Sequence, residues 1–358
     1  MLNNTKHKLI YDKKLTVAYF GGSITAGAGA SNESKCYRAL TTAWLKEKYP
    51  DAQITEINAA IGGTGTSLGM FRCDRDVLQH KPDLIFMEFA INDEGDDYKN
   101  VAAQTETIFR TVIGCNDDTD IVTVITTGEP IIDYMKKGIP VASIQAQKDV
   151  SSYYNIPVAD VGTNLFAQLI ESSLSLTDRI PDGLHPNNEG HKIYADALKM
   201  HLEEWLGDNT SGANIIPHYM PEKYHPNASD SACILTFHEL NGLKLNGFEI
   251  KSGSKESANG EYIEGLHPGD SFEFSFIGST AGFYWLGGGV SHDVLVSVDG
   301  GEEFVCRSWD HYVRSFQRMR AAKFVSGLPY DVHTVKVTIP DIPVGPEHFV
   351  RIEAIMVA

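Results

Sequence analysis

Leu15-Thr16-Val17-Ala18-Tyr19-Phe20-Gly21-Gly22-Ser23-Ile24-Thr25 is the stretch whose reading settles the architecture of this 358-residue chain. A run of apolar and β-branched side chains ends at a glycine pair and hands over to a helical pattern, which is the opening of a βα unit. Comparable runs recur at Gln53–Asn58, Leu84–Phe89, Ile121–Thr126 and Pro157–Asp160. Between them, Tyr37, Leu40, Trp44 and Leu45 share one helical face, as do Ile193, Ala197, Leu198 and Leu202. Alternating strands and helices predict an α/β fold over residues 1–206, flavodoxin-like, with three α/β/α layers around a parallel sheet of order 2-1-3-4-5.

Past Leu206 the texture changes. Residues 207–231 hold Pro217, Pro221 and Pro226 among polar side chains and predict a linker wrapped over a surface. From 232 to 358, short runs at Gly247–Lys251, Ser271–Phe276, Val294–Val298, His333–Ile339 and Arg351–Met356 are separated by Gly, Asn-Gly, Pro-Gly and Asp-Gly-Gly turns. That pattern predicts an antiparallel β-sandwich of jelly-roll type. The length suits two domains, each large enough to bury its own core.

Composition narrows the function. A net charge of -17 repels phosphate backbones and anionic lipid, so neither a nucleic-acid partner nor a membrane partner is expected. No run is long and apolar enough to span a bilayer, and the polar segment Met1 to Lys14 lacks an apolar signal core, so a cytoplasmic protein is expected. Cys36, Cys73, Cys115, Cys233 and Cys306 are scattered and without CxxC spacing, which argues against a disulfide framework and against a zinc site. No metal and no organic cofactor is expected, and an oligomer is compatible with the sequence.

Four short motifs stand where strands end: Gly21 to Thr25, Asn58 to Gly63, Ala90-Ile91-Asn92-Asp93, and Asp182-Gly183-Leu184-His185-Pro186. Ligands of a doubly wound sheet bind outside the carboxyl ends of its strands, so these motifs converge on one point. Ser23 is a candidate nucleophile, a poor one until an imidazole takes its proton; His185 is the candidate base, and Asp182 can fix its tautomer. The N–H groups of Ser23 and Gly63 and the amide of Asn92 are candidate oxyanion donors. Taken singly each has a commoner explanation: Ser23 as a helix cap, Gly62-Gly63 and Asn92-Asp93 as turn residues. The full set in this order is what carries weight.

In that order the four motifs resemble the blocks of the SGNH (GDSL-like) hydrolases, over roughly residues 15–206. The resemblance implies a serine esterase with Ser23, Asp182 and His185 as its catalytic residues and Ser23, Gly63 and Asn92 as its oxyanion hole. The family's first motif more often reads Gly-Asp-Ser, and here Gly22 takes the place of the acid. Gly65-Thr66-Ser67-Leu68-Gly69 matches the nucleophile elbow of α/β-hydrolases, but it would leave the other motifs idle. Ser67 is therefore expected in the first turn of a helix. Gly27-Ala28-Gly29 fails as a dinucleotide loop, because Asn32 stands where the third glycine belongs.

An esterase domain followed by a β-sandwich is similar in layout to bacterial two-domain mannan O-acetylesterases, which implies an acetylated oligosaccharide substrate derived from hemicellulose, mannooligosaccharides among the candidates. A short-chain acyl thioesterase or lysophospholipase is the alternative enzyme, and a non-catalytic sugar-binding protein the alternative from another class. In the second domain, Trp309 and Tyr312 are candidate sugar platforms in a polar loop, whereas Phe283-Tyr284-Trp285 is expected to be core.

Overall fold

Strand β1 (Lys14–Gly21) lies at the centre of a parallel sheet, paired with β2 (Gln53–Asn58) on one side and β3 (Leu84–Glu88) on the other. β4 (Asp120–Val124) and β5 (Val158–Ala159) complete the order β2-β1-β3-β4-β5 in this computed structural model. The structure describes residues 2–207, 213–230, 232–254, 260–288, 291–308, 318–341 and 349–358. The expected order of the sheet is the observed one. β3 and β4 are buried at every position, as strands covered by helices on both faces must be.

Helices Tyr37–Lys48 and Asn188–Leu206 pack against one face, where Tyr19, Tyr37, Leu84, Phe86, Leu198 and Leu202 share a core. Helix Tyr98–Cys115 packs against both Thr66–Asp76 and Ala142–Tyr153. Residues 213–230 run along the same unit: His218 N–H donates to the Asp117 carbonyl at 2.7 Å, and the Tyr224 and His225 N–H groups donate to the Glu106 carboxylate at 2.6 and 2.7 Å. The chain divides into two compact units, Met1–Ser231 and Ala232–Ala358.

The second unit holds eleven described strands: β6 (Cys233–Leu235), β7 (Asn241–Asn246), β8 (Glu249–Ser252), β9 (Glu261–Gly265), β10 (Ser271–Gly278), β11 (Ala281–Gly287), β12 (Val294–Val298), β13 (Phe304–Cys306), β14 (Arg318–Val325), β15 (Asp331–Thr338) and β16 (Val350–Val357). They form two antiparallel sheets of order β13-β12-β15-β10-β7 and β14-β11-β16-β9-β8, with β6 added to β16. Phe272 and Phe274 from one sheet meet Phe283 and Trp285 from the other in a shared core. Phe283, Tyr284 and Trp285 are thus core residues, all at most 1% exposed. Trp309 and Tyr312 lie outside the described residues.

Candidate active site

The nucleophile turn is built by steric economy. β1 ends at Gly21, and Ser23 opens a single helical turn, Ser23–Ala26, with Gly22 at its N-cap. The Gly22 N–H donates to the Glu88 carbonyl at 3.3 Å, tying the turn to the end of β3. The dihedrals of Gly22, φ -92 and ψ -153, are open to any residue; what the position lacks is room. A Cβ there would lie 1.9 Å from Asn92 Oδ1.

Ser23 Oγ stands 2.9 Å from His185 Nε2, and His185 Nδ1 stands 2.7 Å from Asp182 Oδ2. The other Asp182 oxygen accepts the N–H groups of Leu184 and His185 at 2.9 and 2.7 Å, so the acid closes its own loop. Partial burial pushes the Asp182 carboxyl up, but these N–H groups and the facing His185 ring outweigh it and hold it at about 2. A carboxylate only accepts hydrogen bonds, so Nδ1 of His185 carries the ring proton. Nε2 is left with its lone pair toward the Ser23 hydroxyl, the arrangement that lets a serine lose its proton.

Further contacts on both sides keep this loop in place. The Glu129 N–H donates to the Gly183 carbonyl at 2.7 Å. On the other side, Gly29, at φ +88, approaches Pro186 so closely that a Cβ would lie 2.3 Å from the Pro186 carbonyl oxygen. Ser31 N–H donates to Asn188 Oδ1 at 2.8 Å, and His191 Nε2 bonds the Ala28 carbonyl at 3.0 Å. The segment after the nucleophile is thereby stitched to the segment carrying His185.

The expected oxyanion donors flank Ser23. Gly62 runs beside it, a Cβ there falling 3.6 Å from Ser23 Cβ, and Gly63 follows in the left-handed region at φ +73. Asn92 presses Oδ1 toward Gly22, and that oxygen is buried without a hydrogen-bond partner, which leaves the amide nitrogen as the group able to donate. Ser67 sits in the first turn of helix Thr66–Asp76, and among the described residues no hydrogen bond joins its hydroxyl to a histidine.

Three buried polar side chains that support the site were not picked out by sequence reasoning. Arg72, fully buried, donates to the Gly21 carbonyl at 2.9 Å, to the Ala59 carbonyl at 2.6 Å and to Thr64 Oγ1 at 3.2 Å. It clamps the end of β1 to the loop that carries Gly63, and its guanidinium lies 4.4 Å from the Phe20 ring centroid. Glu88 accepts from Thr25 Oγ1 at 2.7 Å and from Thr126 Oγ1 at 2.6 Å beneath the nucleophile turn; burial pushes its pKa up against those donors. Asp93, next to Asn92, accepts from Thr66 N–H and from Gln147 Nε2, each at 2.8 Å. Burial pushes the Asp93 carboxyl up to about 7 in spite of those donors. The acid of Glu88 within the apolar run Leu84–Phe89 is a signal the sequence offers; Asp93 stands in the Asn92-Asp93 motif but reads there only as a turn residue, and Arg72 gives no signal.

Among the described residues no group of three or more His, Cys, Asp or Glu is placed to hold a metal ion, and no helix is long and apolar enough to cross a membrane.

Residues 19–193 match the model of the GDSL-like Lipase/Acylhydrolase family. The fold is similar to the crystal structure of a two-domain esterase (CEX) active on acetylated mannans, with 20% identity and a TM-score of 0.85 over 100% of this chain and 95% of that one. The structure of a two-domain esterase (CEX) co-crystallised with mannopentaose gives 19% identity and a TM-score of 0.80 over 96% of this chain and 90% of that one. At such identities the likeness establishes the two-domain fold. No curated protein sequence matches the chain.

Proposed function

From the membership of the N-terminal unit in the GDSL-like lipase/acylhydrolase family, a family of carboxylic ester hydrolases, we propose that this protein is a serine acetylesterase that removes O-acetyl groups from hemicellulose-derived oligosaccharides, mannooligosaccharides foremost. The observation that carries the reading is the unbroken relay of Ser23 Oγ, the His185 ring and Asp182, at 2.9 and 2.7 Å. In the proposed reaction Ser23 Oγ attacks the acetyl carbonyl carbon while its proton passes to His185 Nε2. The N–H groups of Ser23 and Gly63 and the Asn92 amide hold the tetrahedral oxyanion. Collapse expels the sugar hydroxyl, which takes the proton from His185, and leaves acetyl-Ser23. Water, deprotonated by the same imidazole, then releases acetate.

The acetyl group and the mannan are the finer part of the proposal. The similarity in fold to an esterase active on acetylated mannans supports them. The test is acetate release from acetylated mannooligosaccharides, run beside nitrophenyl esters of increasing chain length. Turnover of acetylated mannooligosaccharides with a steep decline beyond acetyl is expected. A preference for long acyl chains or thioesters with no action on acetylated sugars would overturn the reading.

A further inference from the structure

A second cleft lies at the opposite end of the sheet from Ser23. The candidate catalytic residues follow the C-terminal ends of strands, whereas this cleft opens at Asp120, the first residue of β4, and its volume is about 320 Å³. A five-residue strand separates the two ends by roughly 15 Å, so a single sugar unit seated in the cleft does not reach the Ser23 hydroxyl, whereas a longer chain can span both.

Its lining combines exposed aromatic rings with uncharged polar groups. Tyr219 is 82% exposed and Tyr153 42%, both at the rim of a concave site. Among the described residues, the side chains of Asn3, Asn155 and Tyr219 enter no hydrogen bond or ion pair. At the base, Asp120 accepts the Thr5 N–H and hydroxyl on one oxygen, each at 2.8 Å, and faces His218 Nε2 at 3.0 Å with the other. The carboxylate accepts, so Nε2 carries the ring proton and His218 Nδ1 is left as an acceptor. An aromatic face for the apolar side of a pyranose, two free carboxamides and a fixed ring acceptor suit a neutral polyhydroxylated ligand. The chain's charge of -17 turns phosphorylated ligands away.

We propose that this cleft is a second saccharide-binding site, one that grips a stretch of polysaccharide remote from the scissile ester. The inference rests on the carbohydrate-esterase reading for its physiological ligand, though not for its measurement. Binding remote from the reacting centre benefits only substrates long enough to reach it.

The test pairs Tyr219→Ala and Asn3→Ala with Tyr219→Trp, all on the full chain. Tyr219 is 82% exposed, so its removal is expected to leave folding intact. Unacetylated mannopentaose, titrated by NMR, should shift signals of the cleft in the parent protein. Tyr219→Ala should weaken that binding roughly fivefold to tenfold, Asn3→Ala should weaken it as well, and Tyr219→Trp should restore or exceed the parent affinity. On acetylated mannan polymer the same loss should appear in KM, with kcat and the hydrolysis of nitrophenyl acetate unchanged. Mannopentaose that leaves the cleft signals unmoved, or binding and polymer KM that ignore all three variants, overturns the second site. A protein that deacetylates no mannan refutes the proposed function, while the titration still decides whether the cleft holds sugar.

Discussion

Gly22 and Asn92 meet so closely that a Cβ added to the glycine would lie 1.9 Å from the carboxamide oxygen Oδ1. The backbone at Gly22 is unstrained for an ordinary residue, at φ -92 and ψ -153, so the glycine is needed for space alone. Gly22→Ala should therefore fold normally yet push the Asn92 amide away from the oxyanion. Loss of one such donor costs on the order of 10²–10³ in turnover. Steady-state kinetics on nitrophenyl acetate, with the melting temperature as control, checks this; an active Gly22→Ala enzyme would remove Asn92 from its role. By the same crowding an acid at position 22, where the family's motif more often has one, would stand there only with the Asn92 carboxamide displaced.

Ser23→Ala should abolish ester hydrolysis while Ser67→Ala retains most of it. Of the two, among the described residues, Ser23 alone has an imidazole within hydrogen-bond reach, at 2.9 Å, whereas Ser67 lies in the first turn of the Thr66–Asp76 helix. A fluorophosphonate probe followed by peptide mapping gives an independent check, and label on Ser67 would contradict the assignment.

The parts of the site that were legible in the sequence are those written locally. Glycine turns, an Asn-Asp pair and an Asp-x-x-His spacing stand at the ends of buried apolar runs, and a parallel sheet brings its strand ends together without further instruction. Arg72, Glu88 and Asp93 were not legible, because their meaning depends on partners far along the chain. Glu88 needs Thr25 and Thr126, and Asp93 needs Gln147. In the second unit, β11 (Ala281–Gly287) escaped as a strand because it is buried along nearly its whole length and shows no alternation. β9 (Glu261–Gly265) escaped because two acids leave it only Tyr262 and Ile263 as apolar side chains.

Asp93→Asn should stabilise the protein above neutral pH. The buried carboxyl titrates at about 7 in the fold instead of its ordinary 3.8, so the folded state favours the protonated acid. Its contribution is fully present below about pH 4 and is lost as pH rises through 7. Asparagine can keep Oδ1 on the Thr66 N–H, and Gln147, whose Oε1 is buried without a partner, can turn its amide to accept from the new Nδ2. Urea titrations should give parent and variant similar stability near pH 4 and favour the variant by up to about 3 kcal/mol at pH 8. A variant that is less stable at pH 8 would mean that Asp93 is held as a needed anion.

His191 should mark the acid limit of the fold. Its ring is inaccessible to solvent, with Nδ1 accepting the Tyr37 N–H at 3.3 Å and Nε2 donating to the Ala28 carbonyl at 3.0 Å. Burial lowers its pKa from 6.5 to about 4, although the Ala28 carbonyl works the other way. The fold therefore prefers the neutral ring, and this contribution is complete above about pH 6.5 and lost as pH falls through 4. Because the residue ties the nucleophile's loop to the segment carrying His185, its protonation should loosen both. His191→Gln is expected to be less stable at pH 7, by about 1–3 kcal/mol for the lost buried hydrogen bonds. It should also show a flatter dependence of stability on pH between 6.5 and 4 than the parent. Equal slopes for the two proteins across that window would place the acid sensitivity of the fold elsewhere.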